Sequence, residues 1–238
     1  MRRFYAPKEN FSDSTVTLDG DETRHLRDVL RLKTGDEASV FDGEGSEFAC
    51  TIHRIGKKEC VLDVNGPTEP RAPESPLELT LAVSLLKGEK FDLITQKAVE
   101  LGIYKLIPIE TARADVRAGD GEKRRERWQK IALGATKQCG RATLLHVAKP
   151  IGFKQFAETA APPALLFTER GGSAFPMDNS AQKLTAFIGP EGGWEDTELE
   201  FARDRGFELV TLGGRILRAE TAAISITAIL QHRFGDLN

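Results

Sequence analysis

Four prolines at three-residue intervals separate two parts of this chain that differ in their hydrophobic patterning. They are Pro67, Pro70, Pro73 and Pro76. Proline lacks a backbone N–H and fixes φ, so a run at this spacing opposes both helix and the hydrogen-bond ladder of a sheet. We therefore predict a first domain over residues 1–66, a stiff linker over residues 67–76 and a second domain over residues 77–238.

The first part carries short β-like segments separated by glycine and aspartate clusters. They lie at residues 15–18, 38–41, 47–55 and 60–64. This spacing predicts a small β-barrel or sandwich.

One helix interrupts these strands. Asp19 and Glu22 resemble a capping box, and apolar residues recur at helical spacing after them, at Leu26, Val29 and Leu30. The same periodicity places three arginines together on another face, which predicts a positive ridge. They are Arg24, Arg27 and Arg31.

The second part alternates apolar strands with amphipathic helices, which indicates an α/β domain with a mostly parallel sheet. Predicted strands lie at residues 77–85, 105–109, 144–148, 164–168, 184–188 and 209–212, and helices at 91–101, 123–138 and 220–234. The last helix is apolar nearly all round, so it needs cover on more than one side. A second copy of the chain is the simplest cover, and we predict a homodimer.

The net charge of −3 means that any nucleic-acid surface must be a local patch. Residues 113–141 hold nine basic and four acidic residues, a local net charge of 9 − 4 = +5. Such a run is often only a solvated helix face. Together with the arginine ridge and the pair Arg2 and Arg3, it favours contacts with phosphate.

Several classes of site lack their signatures. Three widely separated cysteines and four histidines do not fall at zinc-ligand spacing, so we expect neither a metal nor a disulfide framework. No apolar run is long enough to span a bilayer, and we expect a cytoplasmic protein without a membrane partner.

Three glycine-bearing turns, at residues 168–172, 189–193 and 212–218, each follow a predicted strand. In open α/β sheets ligands bind where strand ends meet such turns, because glycine lets the backbone approach a ligand closely. The alternative is three tight turns that only reverse the chain. The chain has no G-x-G-x-x-G opening a helix, no P-loop and no G-x-S-x-G elbow, which leaves a cofactor held mainly by backbone.

The motifs themselves resemble those of the bacterial 16S ribosomal RNA uridine N3-methyltransferase family, which belongs to the SPOUT superfamily. They are IGPEGG at 188–193, LGGRILRAETA at 212–222, QKAVELG at 96–102 and QCGR at 138–141. RFY at 3–5, His25 with VLR at 29–31, FDG at 41–43 and RFGDL at 233–237 extend the resemblance to both ends.

The resemblance implies a SPOUT-type domain whose C-terminal strands and loops form a deep trefoil knot, a PUA-like N-terminal domain and a homodimer. It also implies that S-adenosylmethionine is the methyl donor and that the substrate is 16S ribosomal RNA or the small ribosomal subunit. The cofactor-binding residues carried over are Phe167, Thr168, Gly189, Glu191, Gly192, Gly193, Leu212, Gly213, Ile216 and Leu217.

Methylation of uracil N3 requires alignment with the donor and removal or sharing of the N3 proton. Arg218 and Glu220 are the candidate catalytic residues, and the alternative is an ion pair that orders the loop before the last helix. The candidate RNA contacts are Arg2, Arg3, Arg24, Arg27, Arg31, Arg113, Arg124, Arg125 and Arg141.

Two other functions remain open from the sequence. An enzyme of the same fold could methylate a ribose 2′-hydroxyl. A non-catalytic RNA-binding ribosome-assembly factor could carry the glycine loops only as turns.

Overall fold

The computed structural model describes residues 2–160, 162–175 and 182–237, and it divides into two compact units. The first unit comprises Met1–Glu74 and Thr136–Leu144. The second comprises Ser75–Ala135 and Leu145–Asn238. The segment Thr136–Leu144 therefore groups with the β-rich unit, although it follows the predicted linker in sequence.

The first unit is built on a five-stranded sheet in the order β1-β3-β4-β5-β2. Its strands are β1 (Arg2–Tyr5), β2 (Thr15–Leu18), β3 (Glu37–Phe41), β4 (Glu47–Ile55) and β5 (Cys60–Thr68). Only the β1–β3 pair is parallel. The alternating apolar residues of these strands enclose one core, as the sequence pattern predicts.

Strand β5 extends four residues beyond its predicted end at Val64, into the proline-containing segment. Pro67 pairs with Phe48 and Thr68 pairs with Glu47. Strand β2 covers β5 only over Cys60–Asp63, so the far end of β5 pairs with no strand on that side within the described residues. Proline is tolerated there because no ladder bond from its nitrogen is needed.

The helix of the first unit changes period after one turn. Helix α1 (Gly20–Arg24) begins at Asp19, whose Oδ1 accepts hydrogen bonds from the amides of Asp21 and Glu22. A π-turn over His25–Val29 follows, and its extra residue rotates the later side chains. Val29 is consequently 68% exposed rather than buried, and Arg31, with φ of 55°, lies beyond the helix. The prediction that Val29 lies on the buried face of the helix is therefore wrong. The prediction that Arg31 lies on the same helix face as Arg24 and Arg27 is also wrong, because the helix ends before Arg31.

The buried side chain of Arg3 joins the sheet of the first unit to the segment Thr136–Leu144. Its Nε donates to Glu47 Oε2 at 3.0 Å, and its two terminal nitrogens donate to the carbonyl oxygens of Thr136 and Arg141. The guanidinium carbon also lies 4.1 Å from the centre of the Phe41 ring. Arg3 thus fixes the segment Thr136–Leu144 to the sheet.

The second unit contains a sheet of seven parallel strands in the order β12-β10-β11-β6-β7-β8, with β9 paired to β7. The strands are β6 (Glu78–Ser84), β7 (Lys105–Glu110), β8 (His146–Val147), β9 (Ile151–Gly152), β10 (Ala164–Phe167), β11 (Lys183–Ile188) and β12 (Glu208–Val210). The helices are α2 (Lys90–Glu100), α3 (Gly121–Cys139), α4 (Phe153–Ala157), α5 (Asp196–Asp204) and α6 (Ala219–Phe234). The predicted α/β class and mostly parallel sheet are confirmed, and the knot stays a prediction.

Helices α2 and α6 pack side by side and run in the same direction. Near their first turns Lys90 Nζ lies 3.9 Å from Glu220 Oε1. At the other end Gln231 Nε2 donates to the Gly102 carbonyl at 3.0 Å. Both helices therefore begin at the edge of the sheet where the parallel strands end.

The described residues hold neither a candidate membrane-spanning helix nor a candidate metal cluster. None of the helices there combines the length and the apolar character needed to cross a bilayer. Nor do three or more His, Cys, Asp or Glu side chains gather there as they would around a metal ion.

We predict that Arg3→Ala destabilises the first unit by about 3–5 kcal/mol, because it leaves the Glu47 carboxylate buried without its partner. Hydrogen exchange of the β3 and β4 amides measures this loss directly. Arg2→Ala is the matched control: Arg2 is exposed, and its loss should change the unfolding free energy by less than about 0.5 kcal/mol. Equal effects of the two variants would contradict the role given to Arg3.

Candidate active site

The three glycine-bearing turns meet at one edge of the second unit's sheet. They follow β10, β11 and β12, which are neighbours in the order β12-β10-β11 and are all parallel. Parallel strands end at the same edge, so the turns converge as the sequence predicts.

The turn after β10 is joined to the end of β12 by backbone hydrogen bonds. The amide of Thr168 donates to Val210 O at 2.9 Å, and the amide of Ser173 donates to Leu209 O at 2.8 Å. A Cβ on Gly172 would lie 2.6 Å from the carbonyl carbon of Val210. Only glycine allows this close approach.

Trp194 fixes the turn after β11. Its indole Nε1 donates to the Phe167 carbonyl at 2.9 Å, which satisfies a buried acceptor at the end of β10. A Cβ on Gly189 would lie 2.8 Å from the same nitrogen. Glycine is therefore required at 189 because the indole lies against the backbone.

These turns enclose a cavity of about 570 Å³, a size typical of small-molecule sites. Eight of the ten predicted cofactor residues line it: Phe167, Thr168, Gly189, Glu191, Gly193, Leu212, Ile216 and Leu217. Gly192 and Gly213 are not among its lining residues. Gly192 faces Arg113 instead, and Gly213 allows the turn to adopt a φ of 59°.

Helices α5 and α6 complete the cavity wall with Leu199, Ala219, Ala222 and Ile226. Charged residues of both signs stand among the lining residues. The acidic ones include Glu169 and Asp196, and the basic ones are Arg170, Arg203 and Arg215. The cavity therefore combines an apolar wall with groups that can hold a ligand carrying both charges.

The two candidate catalytic residues stand at the start of α6. Arg218 is the N-cap residue and is exposed. The Glu220 side chain is only 15% exposed, and its Oε2 is buried without a hydrogen-bond partner among the described residues. No ion pair between Arg218 and Glu220 occurs among those residues; Lys90 is the nearby cation.

Lys90 lies between two carboxylates, since its Nζ also contacts Glu191 Oε1. Close by, Lys87 Nζ lies 2.9 Å from Asp115 Oδ2. The hydrogen bond and charge of Asp115 raise the pKa of Lys87, and Glu191 adds to this effect. The edge of the sheet beside the cavity thus holds a dense network of charges.

Two of the predicted RNA contacts are corrected by burial. Arg3 is 8% exposed and bound to Glu47, and Arg141 is 5% exposed and lies 2.6 Å from Glu74. Both guanidinium groups are enclosed by the first unit, so they cannot contact phosphate at its surface.

The other arginines of the first unit remain accessible. Arg2, Arg24 and Arg31 are exposed, although Arg24 pairs with Asp21. Arg27 is half-buried; it pairs with Asp28 and donates to the carbonyl oxygens of Gly56 and Lys57.

Ion pairs reduce the free positive charge of residues 113–141. Arg125 pairs with Glu122, Arg127 with Asp92 and Lys137 with Glu22. Two of these partners, Asp92 and Glu22, lie outside the segment, so counting charges along the sequence does not find them. Arg124 and Lys130 form no side-chain ion pair among the described residues, and Arg113 donates to the Gly192 carbonyl at 3.5 Å.

Sequence reasoning missed Lys90 and Trp194. Trp194 directly follows the IGPEGG motif, and an indole beside a glycine-rich turn is a signal that could have been used. Lys90 follows strand β6 in the run Lys87-Gly88-Glu89-Lys90, and only the strand order shows that this run meets the turn after β11.

Comparison with known proteins agrees with this architecture. A family model described as an RNA methyltransferase domain matches residues 73–231, and one described as an RNA methyltransferase PUA domain matches residues 18–65. The ribosomal RNA small subunit methyltransferase E of Synechocystis sp. is 36% identical over 92% of this chain and 74% of its own length. That of Mesomycoplasma hyopneumoniae is 33% identical over 94% of this chain and 96% of its own.

A solved structure gives the same result. The crystal structure of ribosomal RNA small subunit methyltransferase E from Neisseria gonorrhoeae, bound to S-adenosyl methionine, superposes with a TM-score of 0.91 at 33% identity and covers 100% of both chains. The family predicted from the motifs is confirmed. Because its model spans more than half of the chain and relatives above 30% identity align over nearly all of it, this protein belongs to the RNA methyltransferase family that includes ribosomal RNA small subunit methyltransferase E.

Proposed function

We propose that this protein transfers a methyl group from S-adenosylmethionine to N3 of a uridine in 16S ribosomal RNA of the small ribosomal subunit. The observation that carries the proposal is the cavity at the carboxyl edge of the parallel sheet, where three glycine-bearing turns meet beside a cluster of charged side chains. The relatives named as small-subunit ribosomal RNA methyltransferases support it.

The cavity fits the cofactor. Its apolar wall, which includes Leu212, Ile216 and Ile226, suits the adenine ring, and backbone groups of the turns can bind the ring edge. Glu169 or Asp196 can accept from the ammonium of the methionine moiety, while an arginine of the lining can bind its carboxylate. S-adenosylmethionine supplies a methyl group activated by its sulfonium.

Glu220 is proposed to accept the N3 proton of uracil. It is mostly buried, and its Oε2 lacks a donor within the described residues. Arg218, exposed at the N-cap of the same helix, is proposed to contact the target uracil or its phosphate. N3 lies on the Watson–Crick edge, so the target base must leave any pair or stack to reach these groups.

RNA binding is proposed to involve the accessible arginines of each unit. In the first unit they are Arg2, Arg24, Arg27 and Arg31. In the second they are Arg113, Arg124 and Arg125. Residues 1–66 are proposed as the RNA-docking domain and residues 77–238 as the methyltransferase domain, in the cytoplasm, where ribosomal RNA lies.

A homodimer is proposed because α6 is covered only in part by its own chain. Ala223, Ile226 and Leu230 are buried, whereas Ile224 and Ile229 remain half-exposed. Exposing large apolar side chains is unfavourable by up to about 1.5–3 kcal/mol each, so a dimer in which a second copy covers them is stabilised. Two-fold pairing is the commonest arrangement of such copies.

We predict that the purified protein, incubated with S-adenosylmethionine and 16S ribosomal RNA, produces N3-methyluridine. The RNA is supplied both naked and in assembled small subunits, then digested to nucleosides and identified by mass and retention. A ribose-methylated nucleoside would support the 2′-hydroxyl alternative instead, and the absence of cofactor binding would support a non-catalytic assembly factor.

A variant pair links this activity to the cavity. Ala222 lines the cavity from α6, whereas the neighbouring Thr221 is exposed and does not line it. Ala222→Phe should fill the space and lower cofactor affinity at least tenfold, or about 1.4 kcal/mol, in a calorimetric titration. Thr221→Phe should leave the affinity unchanged. If both variants bound the cofactor normally, the cavity would not be the cofactor site.

We also predict that replacing Arg24, Arg27 and Arg31 by glutamine weakens RNA binding and flattens its dependence on salt. Each lost phosphate contact removes ~0.9 from the log–log slope on a duplex and ~0.7 on a single strand. Lys8→Gln is the control, since Lys8 is exposed on the same unit and paired with Glu44. An unchanged slope in the triple variant would show that these arginines are only solvated.

For the dimer, sedimentation equilibrium at micromolar concentration should give twice the chain mass of 26.2 kDa. Ile224→Glu places a charge on the half-exposed face of α6 and should shift the equilibrium to monomer. Val29→Glu places the same charge on an exposed apolar residue of the first unit and should not. A fully active monomeric wild type would contradict the proposed assembly.

A further inference from the structure

Lys90 occupies a position that the stability of its helix does not explain. It is the first residue of α2, where the partial positive charge of the helix end disfavours a cation. Its side chain is nevertheless only 34% exposed, and its ammonium lies between carboxylates from two other segments of the second unit. These partners indicate a role for Lys90 in the site rather than in the helix.

The sheet topology brings these three groups together. Strands β6 and β11 are parallel neighbours, with Val83 opposite Ile188, so the segments that follow them begin side by side. Lys90 comes from the segment after β6, and Glu191 from the turn after β11. Glu220 arrives on α6, which runs alongside α2.

The cluster of Lys90, Glu191 and Glu220 contains a carboxylate oxygen that can accept a further hydrogen bond. Lys90 Nζ contacts Glu191 Oε1 and lies 3.9 Å from Glu220 Oε1, a distance too long for a hydrogen bond. Glu220 Oε2 is buried with no hydrogen-bond partner in the described part of the chain. Leaving a buried carboxylate oxygen without a donor is unfavourable, so the arrangement is completed only when a donor enters.

The cluster also adjoins the cavity. Glu191 lines it, and so do Ala219 and Ala222 on either side of Glu220 along the chain. Neither Lys90 nor Glu220 is itself among the lining residues, so the cluster borders the cavity that is proposed to hold the methyl donor, with Glu191 as its member in the wall.

A uracil edge matches this arrangement of donor and acceptor. Its N3–H is flanked by two carbonyl oxygens, O2 and O4, so a neighbouring acceptor and donor can bind the N–H and one carbonyl together. As the N3 proton leaves, negative charge spreads onto those oxygens. An ammonium beside one of them stabilises the charge where it develops.

We propose that Lys90 is a catalytic residue: its ammonium donates to a uracil carbonyl oxygen adjacent to N3 while Glu220 accepts the N3 proton. This inference rests on the proposed N3 methylation. The N3–H bond breaks and its proton passes to Glu220 Oε2. The electron pair left on N3 forms the bond to the methyl carbon, and the pair of the breaking C–S bond returns to sulfur. No further reactant is required.

Lys90→Gln tests the proposal, because glutamine keeps a hydrogen-bond donor but removes the charge. We expect kcat to fall by about a hundredfold or more, as for the loss of a group that stabilises developing negative charge. Cofactor affinity, measured by calorimetry without RNA, should stay within about threefold of wild type. Lys97→Gln is the control on the same helix, since Lys97 pairs with Glu100 at 2.7 Å, and it should keep wild-type kcat.

The pH profile separates catalysis from support of the turn. Uracil N3 ionises spontaneously in alkaline solution, so the deficit of Lys90→Gln should narrow as pH rises. If Lys90 only holds the Glu191 turn, the variant should instead lose cofactor affinity, and its deficit should not depend on pH. That result, or a kcat within threefold of wild type, would overturn the proposal. A wild-type product other than N3-methyluridine would contradict the proposed function itself, so the two failures are distinguishable.

Discussion

Parallel pairing of four strands is the constraint on which the site depends. In the ladders Phe167 stands opposite both Ile188 and Val210, and Ile188 stands opposite Val83. Strands β6, β10, β11 and β12 therefore end in one row, and the segments that follow them start at the same level. A parallel pair needs a crossover that returns the chain to the opposite edge, so all four segments emerge on one side. Three of them surround the cavity, and the fourth carries Lys90.

This geometry explains which parts of the site could be read from the sequence. Short apolar runs followed by glycine mark the strands β10 and β11 and the turns after them. The sequence predicts the bounds of both strands to within one residue. Gly172 is required by its contact with the end of β12, which no local pattern shows, whereas Gly189 is required by the indole of Trp194, which directly follows the motif. Lys90 could not be assigned because its neighbours depend on the order of strands, which periodicity does not specify. The family resemblance supplied the fold and eight residues of the cavity lining, but not this lysine.

The first unit shows a different limit of sequence reasoning. The sequence predicts the same role for the adjacent Arg2 and Arg3, yet successive side chains of a strand point to opposite faces, so Arg2 is exposed and Arg3 is buried. The apolar periodicity after Asp19 predicts a buried Val29 only if the helix is a regular α-helix. A single π-turn instead leaves Val29 exposed to solvent. In each case the residue types are compatible with both burial and exposure. The register of the backbone against the core determines which side chain is buried.

Burial also divides the positive charges into groups that perform different tasks. Arg3 and Arg141 are enclosed with Glu47 and Glu74, and Arg3 also donates to backbone carbonyl oxygens, so both charges are paired within the fold rather than at its surface. Arg2, Arg24 and Arg31 are exposed and contribute to the field outside the protein, whatever the net charge of the whole chain. Lys90 belongs to neither group. Its side chain is half-buried, and it faces one carboxylate at contact distance and another beyond hydrogen-bond distance. A charge held in this way can turn to an incoming oxygen with little reorganisation, as a catalytic group requires.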